Sequence, residues 1–321
     1  MDLLEDIRSK LPAIQSHPSE EGIKAALRHV EVAERWLLRG RDEKDEDLFN
    51  DVIYRTNQAF EGMLKEAFTV LASQDGSSLS TYKIENHLVS SNILSDRVMA
   101  LFTNYRQEWR NKSTHDHKLF FSEQEALLAI VSVSAFATIL IDQIIEFTSA
   151  QAEKEKVENR KAELTAEIDS AKKSSFREEV ISLLMLFGNE LSNEIDGQTE
   201  MREVELIGRM VGFIQTVDPS INIMREPILS DGRSRADLIL SRGKTNIVVE
   251  VKRGSPRWFK SFQERGLSQV MNYMDMSATR HGILYISPYL KGQDMRHDEV
   301  FSAKGPQKTT IDMLVPVKPD A

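Results

Sequence analysis

The stretch Arg235-Ala-Asp-Leu-Ile-Leu-Ser-Arg-Gly-Lys-Thr-Asn-Ile-Val-Val-Glu-Val-Lys-Arg253 decides how the second half of the chain folds. It holds two β-rich runs, RADLILSR and NIVVEVKR. The second is nearly continuously apolar until its charged end, as a central strand buried on both faces should be. Carboxylates are unwelcome in such runs, so each needs a reason. Asp237 opens the first run. Glu250 and Lys252 stand two apart in the second and so project from one face of one strand. An acid and a lysine there are costly unless they are paired or bind something. Two carboxylates on adjacent strands make an oxygen-ligand site of the kind Mg²⁺ takes. A lysine beside it can orient and deprotonate a water, with the cation's charge steadying phosphorus oxygens.

Working outward, the flanks read as alternating elements. Two amphipathic helices, Phe176–Leu191 and Thr199–Thr216, precede the runs and end at Asp218-Pro219; INIMREPIL then forms a further β-rich run. A helix at about Phe259–Met276 follows, then GILYIS and TTIDMLVP. Helix, three strands, helix, strand is the order of an α/β sandwich.

Asp237, twelve residues, then Glu250-Val251-Lys252 resembles the PD-(D/E)xK restriction-endonuclease-like family. Gln269 and Tyr273, in QVMNY on the following helix, resemble the Q-x3-Y element of its RecB-like branch. The resemblance covers roughly 199–290 and implies a nuclease using Mg²⁺ or Mn²⁺. It implies that Asp237 and Glu250 bind the metal, that Val251 contributes its carbonyl, and that Gln269 orients the site. The first helix of the family usually adds a Glu. Glu203 shares the inward stripe of Ile207, Met210 and Ile214 and is the choice for that third metal-binding carboxylate, with Glu200 in reserve. Ala236 stands where the family's Pro precedes the Asp. Arg253, Arg257 and Tyr273 are the candidate nucleic-acid contacts here, with Asn111 the candidate in the first half of the chain. Trp258 and Phe259 fit the start of a core helix better than base stacking.

Residues 1–150 read as helices almost throughout, with apolar positions at helical spacing in Ile23–Leu38, Leu48–Leu71, Ile84–Trp109 and Glu123–Phe147. Four or five helices make an all-α N-terminal bundle. Ala126–Ile141 is apolar but shorter than the roughly 20 residues needed to span a bilayer, and reads as a buried helix. Phe147, Ala150, Lys154, Val157, Lys161, Leu164, Ile168 and Ala171 recur at spacings of three and four, a weak heptad seam. The expected domains are therefore 1–147, a helical or coiled-coil-like linker at 148–175, and 176–321.

Between two of the N-terminal helices stands Tyr105-Arg-Gln-Glu-Trp-Arg-Asn-Lys-Ser-Thr-His115. Arg110, Asn111 and His115 resemble the HEPN pattern of arginine, polar residue, three residues, histidine. YRTNQAFEGMLKEAF at 54–68 is similar to an early HEPN helix, with Asn57 and Glu61 four apart on one face. The resemblance covers about 45–147. It implies either a metal-independent ribonuclease or a non-catalytic module for RNA, partner binding or dimerisation. In the first case His115 is the acid or base on an RNA 2′-hydroxyl and Arg110 clamps the phosphate. Either way it implies a homodimer. His117 reads as a solvent-facing neighbour.

Bulk composition sets the limits. The 321 residues exceed what one core usually serves. There are no cysteines, which excludes disulfides and thiolate metal sites and fits a cytoplasmic protein; MDLLEDIRSK carries no secretory apolar region. Net charge is −9, yet residues 225–260 hold nine basic against four acidic side chains, a local surface suited to a phosphate backbone. No P-loop is present. The expectation is a Mg²⁺-dependent DNA-cutting domain joined to an RNA-directed helical one, the company kept by prokaryotic anti-phage or toxin-like effectors; a wholly non-catalytic nucleic-acid scaffold is the alternative.

Overall fold

The computed structural model describes residues 3–15, 17–91, 93–115, 120–170, 175–195, 201–257, 259–303 and 309–317. The chain divides into two compact units, 1–148 and 149–321.

The first unit is helical. It comprises α1 (Leu3–Lys10), a 3-10 turn (Leu11–Ile14), α2 (Glu20–Glu43), α3 (Asp47–Leu71), α4 (Thr81–Ser90) and α5 (Asp96–Tyr105). A π-helical turn (Arg106–Arg110), the short α6 (Asn111–His115) and the first part of α7 (Glu123–Glu158) complete it. The apolar stripes converge on Phe60 of α3, whose ring lies 5.7 Å from Phe102, 4.6 Å from Tyr105 and 5.0 Å from Phe136. The helix expected over Ile84–Trp109 is in fact two. Ser95 caps the second, its Oγ accepting from the Val98 N–H. Gln143 closes the gap, accepting from the Ser95 N–H at 3.0 Å and donating to the Ile93 carbonyl at 2.7 Å. α7 is long and apolar enough, by length and composition, to cross a membrane, and 56% of its most apolar window is buried inside the protein. Leu127, Leu128 and Val131 are exposed on it, while Val133, Phe136, Ala137 and Leu140 are core.

The second unit contains the end of α7, then α8 (Lys161–Ser170), α9 (Phe176–Glu194) and α10 (Glu203–Val217). β1 (Asn222–Arg225), β2 (Leu238–Arg242), β3 (Thr245–Lys252), α11 (Phe259–Ser277), β4 (His281–Ile286), β5 (Met295–Ala303) and β6 (Thr309–Pro316) follow. The six strands run in the order β1-β2-β3-β4-β6-β5. β3, β4 and β6 are parallel to their neighbours within that set, and the remaining pairings are antiparallel. Alternation divides the strand side chains between two cores. Leu238, Leu240, Ile247, Val249, Val251, Ile283, Tyr285 and Leu314 pack with α8, α9 and α10. Ile239, Val248, Leu284, Ile286, Ile311 and Val315 pack with α11. This is a helical unit followed by an α/β unit with a mixed sheet, the two classes that periodicity indicates.

Two expectations are corrected. The segment 148–175 is neither a solvated linker nor an uninterrupted stalk as far as residue 170. The helix stops at Glu158 and restarts at Lys161, and the seam residues Val157 and Leu164 are core of the second unit, with Ile168 packed against it. The apolar seam needs a partner and finds it within the chain. β5 was not anticipated at all. Its sequence, MRHDEVFSA, has no sustained apolar alternation, because it is an edge strand paired only with β6.

Candidate active site

The hairpin β2–β3 sets the centre. Leu238 pairs with Val249 and Arg242 with Thr245, leaving Gly243 and Lys244 as a two-residue loop. Gly243 has φ +61°, the left-handed value such a loop needs at its first position. Carrying that register one step past the ladder sets Asp237 opposite Glu250. Twelve intervening residues thus place two carboxylates side by side on the α11 face, and a one-residue slip would separate them.

Asp237 and Glu250 lie within hydrogen-bonding reach of each other, and Asp237 Oδ2 accepts from the Val251 N–H at 2.7 Å. A strand residue directs its N–H and C=O to the same edge, so the Val251 carbonyl is turned toward Asp237 as well. Lys252 Nζ donates to Glu250 Oε1 at 2.6 Å, and both side chains are sheltered. The other Glu250 oxygen, Oε2, is buried and accepts from no donor. Burial, then the neighbouring Glu250 charge, pushes the Asp237 carboxyl up to about 7. Burial raises Glu250 too, against the pull of Lys252. Burial opposes the Lys252 ammonium, yet Glu250, Glu203 and Asp237 together hold it above the ordinary lysine value.

Glu203 arrives from elsewhere, as the first residue of α10. Burial raises its carboxyl, which feels Lys252, Asp237 and Arg253. Gln269 and Tyr273, one turn apart on α11, hydrogen-bond each other, and Tyr273 is close enough to Glu250 and Asp237 for their charges to raise its hydroxyl further above its usual value than burial does alone. Asp237, Glu250, Glu203 and Tyr273 are thus close enough to Lys252 to feel its charge at one end of the sheet.

One placement differs from expectation. Among the described residues no three His, Asp or Glu side chains are gathered closely enough to hold a metal ion together, so the expected Asp237–Glu250–Glu203 ligand set is not assembled. Mutual repulsion of three carboxylates favours that wider spacing. Arg253 Nη1 donates to the Met201 carbonyl at 3.0 Å, whereas Arg257 is exposed on the loop before α11. Trp258, the Phe259 side chain and Glu200 lie outside the described residues.

Two carboxylates, one with a buried oxygen lacking any donor, and a main-chain carbonyl turned the same way are hard oxygen donors. They fit Mg²⁺ or Mn²⁺, which complete their shells with water or phosphate.

The N-terminal constellation is also drawn together. Asn57 Nδ2 donates to Ser113 Oγ at 2.8 Å and Asn57 Oδ1 accepts from the Tyr105 hydroxyl at 3.1 Å. Arg110 lies 3.6 Å from Glu61 and donates to Asn111 Oδ1 at 3.3 Å. Arg110 ends a π-helical turn, a feature frequent at functional sites, and faces Glu61 of α3. Tyr105 and Ser113 were not anticipated, nor was Glu85, an acid whose carboxyl burial pushes up against the opposing charges of Arg110 and Arg106. Its place beside Ile84 and Leu88 on the buried stripe of α4 was the available signal. His115 closes α6, and its side chain and all of His117 lie outside the described residues. No family model, curated protein or solved structure matches the chain, so the chemistry of both constellations rests on the residues themselves.

Proposed function

We propose that the C-terminal unit is a metal-dependent nuclease of the PD-(D/E)xK type that hydrolyses DNA phosphodiester bonds. The observation that carries this is the buried Asp237–Glu250 pair, with one orphaned oxygen and an ammonium 2.6 Å from the other. Asp237, Glu250 and the Val251 carbonyl would hold Mg²⁺ or Mn²⁺, with Glu203 a further carboxylate whose charge bears on the pair. A divalent cation there supplies Lewis-acid charge to phosphoryl oxygens. Lys252, kept as an ammonium by its acidic neighbours, offers donors and positive charge to a phosphate that gains charge as the bond breaks. Gln269 and Tyr273 present polar groups from α11 toward the same place. The basic run 225–260 gives the backbone-binding surface.

Incubating the full chain with DNA and with RNA, in Mg²⁺, Mn²⁺ or EDTA, tests this. DNA cleavage that needs the cation and is lost in Glu250→Gln supports it; cleavage of neither nucleic acid under any condition leaves a binding scaffold.

A second reading concerns the helical unit, as a HEPN-like, metal-independent ribonuclease acting as a homodimer. It is favoured by the convergence of Asn57 and Glu61 on the Arg110–Ser113 segment. RNA cleavage should then survive EDTA and vanish in His115→Ala while DNA cleavage persists. RNA binding without cleavage would make the unit a sensor or dimerisation module. A cytoplasmic role in prokaryotic defence or toxicity is the biological setting this pairing suggests.

A further inference from the structure

Glu203 is remote in sequence from the β2–β3 hairpin, and something must hold the start of α10 against it. The helix does not do so by its own cap. Arg202 occupies the N-cap position and makes no side-chain capping hydrogen bond, where Ser, Thr, Asp or Asn would satisfy one of the open N–H groups. The residue before it, Met201, is tied down instead by Arg253 Nη1, which donates to its carbonyl at 3.0 Å.

Strand geometry explains why Arg253 can do this. Glu250 and Lys252 point to the α11 face, and Val251 belongs to the core that α10 shares. Arg253 continues that alternation from the end of β3 and is directed to the α10 side. One strand end therefore carries Glu250 and Lys252 on one face, and on the other a cation that grips the entrance of the helix bearing Glu203. The guanidinium is also close enough to favour the charged form of Glu203.

We infer that Arg253 is a positioning residue which fixes the start of α10 and so keeps Glu203 within reach of the Asp237–Glu250 pair. This rests on the reading of that pair as a divalent-cation site. It differs from the role the sequence suggests, a contact to nucleic-acid phosphate.

The test is Mn²⁺ affinity, measured by calorimetric titration of the full chain without nucleic acid, beside DNA affinity measured in EDTA. Arg253→Ala should weaken Mn²⁺ binding about tenfold, the loss that disturbing the outer shell of a metal site typically brings. Glu203→Gln should weaken it about as much, and the double variant no more than either, because both remove the same carboxylate charge from beside the Asp237–Glu250 pair. Arg253→Lys, which keeps a donor for the Met201 carbonyl, should recover most of the loss. If Arg253→Ala does not fold, Arg253→Gln replaces it in the same cycle.

Unchanged Mn²⁺ affinity with weakened DNA binding would make Arg253 a phosphate contact and overturn the inference. Multiplicative losses in the double variant would overturn it too. A parent protein that binds no Mn²⁺ defeats the cation site itself, a different failure from a parent that binds and a variant that binds equally well.

Discussion

In the proposed nuclease, Lys252 is the residue on which the chemistry would turn. Its ammonium sits 2.6 Å from Glu250 and is held charged by three acidic neighbours. Replacing it with Ala removes charge that counts most as the phosphate gains charge, so DNA cleavage should fall roughly 10²–10³-fold, about 3–4 kcal/mol, with little change in DNA affinity. Single-turnover rates beside binding constants separate the two, and a variant that cuts like the parent would reduce Glu250 and Lys252 to a structural ion pair. Asp237 gives a second prediction at this scale. Its folded carboxyl is raised from 3.8 to about 7, chiefly by burial. Its contribution to stability is therefore full below the unfolded value and is lost as pH rises through the folded one. A cation competes with that proton. Mg²⁺ or Mn²⁺ should thus raise the unfolding temperature more at pH 8 than at pH 5, and Asp237→Asn should flatten the difference. Equal shifts at both pH values in the parent would count against a cation on this carboxylate.

At the scale of elements, the close crossing of α7 and α10 governs how the second unit is built. Gly212 of α10 faces the Ala150 carbonyl of α7, and a Cβ there would stand 2.3 Å from that oxygen. Backbone blocks the added methyl, so the helices must separate. Arg209, one turn earlier on α10, donates to Glu153 at 2.7 Å and to Glu194 at 2.6 Å, and Lys156 pairs with Glu194 too. Gly212→Ala should destabilise the protein by about 1–3 kcal/mol, the usual cost of overpacking a core, read as a lower urea midpoint. A midpoint unchanged from the parent would show that 149–158 is not fixed to α10. The same contact explains why the weak heptad seam does not make a stalk: its apolar positions are already covered.

At the scale of the whole molecule the prediction is one of association. Leu128 is 54% exposed on α7, beside Leu127 and Val131, and Phe120 is exposed just before that helix. The homodimer implied by the HEPN resemblance would find an apolar face here. Leu128→Glu should then convert a dimer to a monomer in light scattering and abolish any EDTA-resistant RNA cleavage, while Mg²⁺-dependent DNA cleavage continues. A parent that is monomeric at micromolar concentration would leave the helical unit a single-copy binding module.

What the sequence by itself determined is what repeats over short distances. Helical spacing marks the first unit, and strand alternation places Glu250 and Lys252 on one face. The twelve-residue interval with Gly243 near its middle sets Asp237 opposite Glu250. Each follows from backbone geometry within about twenty residues, where steric rules leave few choices. Only the tertiary structure decided the rest. Asn57 meets Ser113 across 56 positions and Arg253 meets Met201 across 52; no local period encodes such meetings. β5 is a strand because β6 offers it an open edge, and polar edge residues leave no apolar rhythm to read. The seam of 148–170 shows the same limit from the other side: its spacing revealed an apolar face, but which surface would cover it depended on how α9 and α10 packed.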